Sequence, residues 1–262
     1  MDNYCYSNKF SFGYIFKEIK HRTYKVEETL MKLINIVKSY ENKKVLDGIT
    51  LDVEEGKITA ILGESGSGKS TLLNIIAGKI KDYEGKVVFE KEHEKGISYI
   101  FQEDTLIPWK TVYGNLEFVL KKKIPADKIN LRIKKFLEMV GLNGIENEYP
   151  NALSGGMKRR VGIARAFSFP SNYLFMDEPF EFLDIKIKNE IMEYFIKLQN
   201  QEKKTVIFIT HDIESAVSLG EKIVVFSNKP TKIKKIFKNP YPKEKNMKEK
   251  EKLKDEIEKL FL

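Results

Sequence analysis

The stretch Gly63-Glu64-Ser65-Gly66-Ser67-Gly68-Lys69-Ser70 restricts what this chain can fold into more than any other. It fits the pattern G-x-x-x-x-G-K-[ST], follows the apolar run 57–62 and opens a helical pattern over 71–78. That context gives the string its force. Phosphate groups need a concave nest of backbone N–H groups at a helix N-terminus, and glycines let the chain wrap close to them. Lys69 supplies a point charge to the β- and γ-phosphates, and the Ser70 hydroxyl is placed to ligate Mg2+. The competing reading is a plain Gly/Ser turn, against which the flanking strand and helix weigh.

The remaining apolar runs are short and separated by helical patterns. Residues 57–62, 173–176, 206–210 and 223–226 read as buried strands of a largely parallel sheet, hence an α/β fold. Residues 127–140 form an amphipathic helix with Ile129, Ile133, Phe136, Leu137 and Val140 on one face, stopped by Gly141. Roughly 103–168 is therefore mostly helical, an insertion within the α/β domain. Strand-like alternation starts at Met31. Residues 1–30 are aromatic-rich and lack a signal peptide's apolar core and cleavage site. Met31 is expected to be the true start or the first folded residue, the alternatives being a disordered extension or a partner-binding arm. Residues 229–262 read as a Lys-rich tail. Its end puts Leu253, Ile257, Leu260 and Phe261 on one helical face, expected to pack on the domain rather than on a membrane.

Composition narrows the class. No apolar run approaches the ~20 residues needed to span a bilayer, which argues against a helical membrane-spanning protein. A single cysteine, Cys5, excludes a disulfide scaffold or a cysteine-based zinc site and fits a reducing compartment. The 46 basic and 38 acidic residues leave +8, but the lysines are interleaved with glutamates, so charge alone does not mark a nucleic-acid site. Only five residues are arginine, and Arg159, Arg160 and Arg165 are three of them. That clustering predicts a local need for planar, multidentate hydrogen bonding.

A second half-site follows at Tyr173-Leu174-Phe175-Met176-Asp177-Glu178-Pro179. A buried strand delivers Asp177 at its carboxyl end, the edge where ligands bind in open α/β sheets. Asp177 would hold Mg2+ through water, and Glu178 would sit near the γ-phosphate and polarise the attacking water. Alone, two acids after a strand read equally as the opening of a turn.

Leu153-Ser154-Gly155-Gly156-Met157, followed by Lys-Arg-Arg-Val-Gly-Ile-Ala-Arg-Ala, closely resembles the signature of ATP-binding-cassette ATPases. Other landmarks then fall in family order from about Met31 to the end. Tyr40 matches an aromatic that stacks on adenine, against a competing role as strand-edge packing. Gln102 matches the catalytic and Mg2+-contacting glutamine at the junction with the helical subdomain, and His211 matches the switch histidine. The resemblance assigns residues 63–71, ending at Thr71, to the nucleotide. It places Ser154, Gly155 and Gly156 on the phosphate of a second subunit, with Asp184 on a loop crossing the same interface. Ser154 is a suitable helix N-cap, and the glycines allow close approach to an anion. Trp109 reads either as subdomain core or as part of the groove that receives a permease. His21 and His93 lie outside every motif.

The resemblance implies a P-loop NTPase with a RecA-like core and a largely parallel sheet, an N-terminal antiparallel β part and an inserted α-helical subdomain, over residues 31–228. The strings Phe-Gln-Glu-Asp-Thr-Leu-Ile-Pro-Trp, Tyr-Pro-Asn-Ala-Leu-Ser-Gly-Gly-Met, Asp-Glu-Pro-Phe and Ser-Asn-Lys-Pro are similar to those of the nitrate/sulfonate/taurine importer ATPases. Implied with them are ATP and Mg2+, a homodimer, separate membrane-spanning permease subunits and an extracytoplasmic solute-binding protein that chooses the cargo. The expected location is the cytoplasmic face of the membrane, as a peripheral protein. Two departures stand out. Glu181 and Phe182 replace small residues on the interface-crossing loop, and Glu64 adds a negative charge to the phosphate loop. The alternative is a cassette ATPase acting on nucleic acid or a soluble machine, but those usually carry a long coiled-coil insertion or two cassettes in tandem, and this chain has neither. A third reading, motivated by Glu181 and Phe182, is a slow, regulatory cassette.

Overall fold

The computed structural model describes residues 29–90, 96–103, 105–240, 242 and 247–261. The extension read over 1–30 lies outside them except for its last two residues, as do Cys5, His21, Arg22 and His93. In chain order the described elements are β1 (Thr29–Tyr40), β2 (Lys43–Glu54), β3 (Ile58–Leu62), α1 (Lys69–Ile76), β4 (Glu84–Phe89) and β5 (Ile97–Ile100). The helical insertion follows, with α2 (Val112–Leu120), α3 (Ala126–Met139) and α4 (Gly155–Ser168). The chain then returns to the sheet through β6 (Tyr173–Asp177), α5 (Ile185–Glu202), β7 (Thr205–Thr210), α6 (Ile213–Leu219), β8 (Lys222–Phe226), β9 (Ile233–Lys238) and α7 (Met247–Glu258).

Strands that are apolar on both faces must be covered on both, and the main sheet obeys this. Its order is β5-β6-β7-β3-β8-β9, parallel throughout except for the antiparallel edge strand β9. Side chains alternate between two cores. Ile58, Leu62, Leu174, Met176 and Phe208 face one core, shared with the helical insertion, α5, α6 and α7. Ile61, Phe175, Ile207 and Ile209 face the other, shared with α1 and a second sheet of order β2-β1-β4. That second sheet is antiparallel, with β1 at its centre.

Helix α3 lies within a residue of the span read from the sequence, and all five residues of its expected apolar face are buried. Gly141 ends it at φ +67°, a left-handed conformation that costs glycine little. The segment after Pro230 is more than a tail. It supplies β9, and then α7 returns to the domain with Ile257 fully buried and Leu253, Leu260 and Phe261 against the first core. Lys254 pairs with Glu214 of α6 at 2.5 Å. Among the described residues no helix is long and apolar enough to cross a membrane.

Ile257 holds α7 to the domain by burial alone, so Ile257→Ala is expected to cost about 2–5 kcal/mol. A lowered urea midpoint at unchanged slope would show it; a wild-type midpoint would show that α7 contributes nothing to the core.

Candidate active site

Adjacent parallel strands end level with one another, and here that brings three motifs to one edge. The registers Leu62↔Thr210 and Asp177↔Ile209 align β3, β6 and β7. Just beyond them, the Gly63 N–H donates to the Thr210 carbonyl at 3.3 Å and the Glu178 N–H donates to the Ile209 carbonyl at 3.1 Å. The phosphate loop, the acid pair and His211 therefore leave the sheet side by side, at the carboxyl edge where such sheets bind ligands.

The loop is built for close anion approach. Gly66 and Gly68 sit at φ +78° and +91°. At Gly68 a Cβ would also lie 2.9 Å from Val45 Cγ1, so glycine is required there both for conformation and for space. Gly68 caps α1 without a side-chain hydrogen bond, which leaves the first-turn N–H groups for a ligand. Lys69 is buried; its Nζ donates to the carbonyls of Gly63 at 2.9 Å and Glu64 at 3.0 Å, and lies 3.5 Å from Glu178 Oε1. Glu64 and Ser65 are exposed and Thr71 is half-buried. From the β8–β9 connection, the buried Thr231 hydroxyl donates to the Ser67 carbonyl, a brace that the sequence reading missed.

Opposite the loop, the Ser70 hydroxyl donates to Asp177 Oδ1 at 3.2 Å. Burial pushes the Asp177 carboxyl above the usual range, the Ser70 bond opposes this, the Glu178 charge adds to it, and Lys69 and Lys79 pull it back. Glu178 occupies a left-handed conformation at φ +43°, which a non-glycine residue adopts only when its surroundings enforce it. They do: Ile209 accepts its N–H, and Arg159 Nη2 donates to its carbonyl at 3.3 Å. The Glu178 carboxylate meets both the backbone N–H and Nδ1 of His211 at 3.3 Å.

Gln102 reaches this turn from β5's far end. Its Nε2 donates to Glu181 Oε2 at 2.5 Å, a contact available only because a carboxylate stands at that position. Arg159 fixes both segments to α4. Its guanidinium donates from Nε to Pro179 O at 2.6 Å and from Nη1 to Phe101 O at 2.8 Å and Gln102 O at 3.2 Å. The other signature-helix arginines also join separate segments, with fewer bonds. Arg165 binds the carbonyl and hydroxyl of Thr105 at 2.9 and 2.7 Å, and Arg160 joins Val140 O to Glu190.

The donors fit a magnesium ion that arrives with a phosphate ligand. Among the described residues no cluster of three or more acidic, histidine or cysteine side chains could cage a metal alone. Mg2+ does not need one, since it typically takes one or two protein oxygens and completes its shell with phosphate and water. Ser70 and Asp177 offer such hard oxygens 3.2 Å apart.

Other expected site residues lie away from this cluster. Tyr40, 47% exposed, is not buried at its strand edge; its ring has Lys38 Nζ 4.8 Å from the centroid. Ser154 caps α4 by accepting from the Met157 N–H at 3.3 Å. Asp184 caps α5, accepting from the Ile187 N–H at 2.9 Å. A cavity of about 650 Å3 is lined by residues 63–65, Glu181, His211, Ile213, Glu258 and Phe261; none of Ser154, Gly155 and Gly156 is in its wall. Trp109 is 76% exposed and so is not subdomain core. Its loop is braced by hydrogen bonds nonetheless. The buried Asn115 amide accepts from the Ile107 N–H at 2.7 Å and donates to the carbonyls of Ile107, Lys110 and Thr111.

The family model of ABC transporters matches residues 46–181. The chain is 42% identical over 226 residues to the aliphatic sulfonates import ATP-binding protein SsuB of Bacillus cereus (strain ZK / E33L), covering 81% of this chain and 88% of that protein. It is 35% identical over 209 residues to the sulfate/thiosulfate import ATP-binding protein CysA of Mesorhizobium japonicum (strain LMG 29417 / CECT 9101 / MAFF 303099), covering 75% of this chain and 60% of that protein. Among solved structures it is similar to a dimeric post-hydrolysis state of the ATP-binding cassette MJ0796 bound to ADP and Pi. The TM-score is 0.68 at 32% identity, over 81% of this chain and all of that one.

Arg159 is the test of the site's rigidity. A lysine keeps the charge but not the planar fork, so Arg159→Lys is expected to lower nucleotide turnover on the order of tenfold, measured as phosphate release at saturating ATP. Wild-type turnover would show that the guanidinium bridge does not position the site.

Proposed function

The chain belongs to the ABC transporter family of ATPases, and we propose that it is the ATP-hydrolysing subunit of an importer for a small oxyanion or sulfonated solute. The contact set around Glu178 carries this reading. A carboxylate 3.5 Å from the phosphate-loop lysine and 3.3 Å from His211 is placed to take a proton from water aimed at the γ-phosphate. Breaking the bond between the γ-phosphorus and the β–γ bridging oxygen leaves charge on the bridging oxygen and the transferred group. Lys69 and the α1 N-terminus face that charge. His211 holds the base in place and senses the γ-phosphate. Residues 63–71 cradle the phosphates and Tyr40 offers an exposed ring for the base. Bound Mg2+ would be held by Ser70, Gln102 and Asp177 and would neutralise phosphate charge.

In this reading the active unit is a homodimer. Ser154, Gly155 and Gly156 begin a helix outside the wall of the cavity beside the phosphate loop, so they serve the nucleotide of a second copy. The solved cassette similar to this chain is dimeric. The dimer works at the cytoplasmic face of the membrane, as a peripheral protein, against separate membrane-spanning permease subunits. Trp109, presented on the loop that Asn115 braces, belongs to the surface that receives them. A solute-binding protein outside the membrane selects the cargo. The names of the relatives favour sulfonate- or sulfate-type solutes, with nitrate and taurine in the same chemical range.

Purification of the tagged chain from detergent-solubilised native cells tests the transport assignment. A multi-spanning permease is expected to accompany it, and Trp109→Ala is expected to lower that recovery about tenfold while leaving the melting temperature unchanged. Recovery of nucleic acid or a soluble assembly in its place would overturn the importer reading.

A further inference from the structure

The chemistry above uses the backbone N–H groups of the phosphate loop, and something must hold that backbone in shape before a ligand arrives. Glycine gives the chain little help, because it leaves peptide planes free to turn. Gly68, at φ +91°, is therefore held from outside. A Cβ built there would lie 2.9 Å from Val45 Cγ1, 3.2 Å from Leu46 Cδ2 and 3.7 Å from Thr231 Oγ1. Val45 and Leu46 are apolar and give the loop packing without direction. Thr231 gives it a directed bond, since its hydroxyl donates to the Ser67 carbonyl.

The donor is itself fixed. Thr231 is fully buried; its N–H donates to the Val45 carbonyl and its carbonyl accepts from the Asp47 N–H, both at 2.9 Å. These bonds tie it to β2 on either side of Leu46. A β-branched side chain on a backbone held this way has few rotamers to visit. The bond also sets a direction on the far side of the acceptor. A trans peptide is planar, so its C=O and the following N–H point opposite ways. Holding the Ser67 carbonyl toward Thr231 turns the Gly68 N–H away from it. Strand β2 begins at Lys43, which pairs with Tyr40, so the same strand carries both this tether and the turn beside the exposed ring.

We propose that Thr231 is a positioning residue for the nucleotide: its hydroxyl locks the Ser67–Gly68 peptide so that the Gly68 N–H is presented to phosphate. The loop is then ordered before the ligand binds, and binding does not have to supply that order. Without the hydroxyl, the Ser67 carbonyl is left with no partner on that side, and turning the peptide to find another withdraws the N–H from the ligand. The inference rests on nucleotide binding at the phosphate loop and is independent of the cargo, the permease and the dimer.

Two substitutions in the full-length protein separate the hydroxyl from the packing. Thr231→Val keeps the shape and loses the donor; Thr231→Ser keeps the donor and loses the methyl. Affinity for the non-hydrolysable analogue adenylyl imidodiphosphate with Mg2+ is measured by calorimetry, well below each variant's melting temperature, alongside KM and kcat for ATP. Thr231→Val is expected to weaken analogue binding about tenfold and to raise KM by a similar factor, with kcat within about twofold of wild type. Thr231→Ser is expected to bind as wild type does. A brace that serves only the fold would lower the melting temperature of Thr231→Val and leave the affinity of the folded protein unchanged; that result overturns the inference. So does a Thr231→Ser variant that loses as much affinity as Thr231→Val. Should valine prevent folding, Thr231→Ala set against Thr231→Ser makes the same comparison in a smaller side chain, and equal affinities would overturn the inference. A wild-type protein that binds no analogue would overturn nucleotide binding itself.

Discussion

The Arg159 guanidinium is the constraint on which the site's geometry depends. A buried charge is costly unless every donor is met, and here the fork is met by backbone carbonyls of Phe101, Gln102, Glu178 and Pro179. Those four residues belong to two separate segments, the turn after β5 and the acid turn after β6. The arginine itself belongs to α4, whose first turn carries the signature glycines. One side chain thus ties Gln102 and the proposed base to the helix that is expected to face a second copy. A shift of α4 must be felt at Glu178, which gives the dimer contact a direct mechanical route to the chemistry.

Around that brace the charges are arranged to exchange partners rather than to stay as they are. Lys69 leans on two carbonyls and the Glu178 carboxylate, Ser70 on Asp177, and Gln102 on Glu181. Each of these contacts is one that phosphate, Mg2+ or water can replace, since all involve the same donors and acceptors that the nucleotide would use. The strained backbone at Glu178 persists because β7, Arg159 and the turn to Glu181 all hold it. Glu181 adds a carboxylate that accepts from the Gln102 amide nitrogen, not from the amide oxygen that a metal would use.

Much of this was legible in the residues. Local patterns carried β3, the phosphate loop, α1 and α3, because a strand–glycine turn–helix run and a 3.6-residue apolar period are written in consecutive positions. The scarcity of arginine pointed to α4 as a hub, and Arg159 and Arg165 prove multidentate. Less legible was whatever depends on distant pairing. β9 was hidden in a lysine-rich segment, since an edge strand needs apolar residues on only one side and here Phe237 is its main anchor. The Thr231–Ser67 brace spans 164 positions, and no local pattern announces it. Trp109 was ambiguous because a tryptophan after a proline fits a core as well as a surface. What settles its exposure is the polar network of Asn115, six residues on.

On the proposed mechanism Glu178 takes the proton from water while two copies enclose the nucleotide. Replacing its carboxylate with an amide of the same shape removes the base and little else. Measured together on Glu178→Gln, ATP affinity, phosphate release and mass in solution give a direct answer. Retained ATP binding, turnover reduced at least about a hundredfold, and an ATP-dependent dimer that accumulates are expected. A variant that hydrolyses ATP at the wild-type rate and stays monomeric would contradict it.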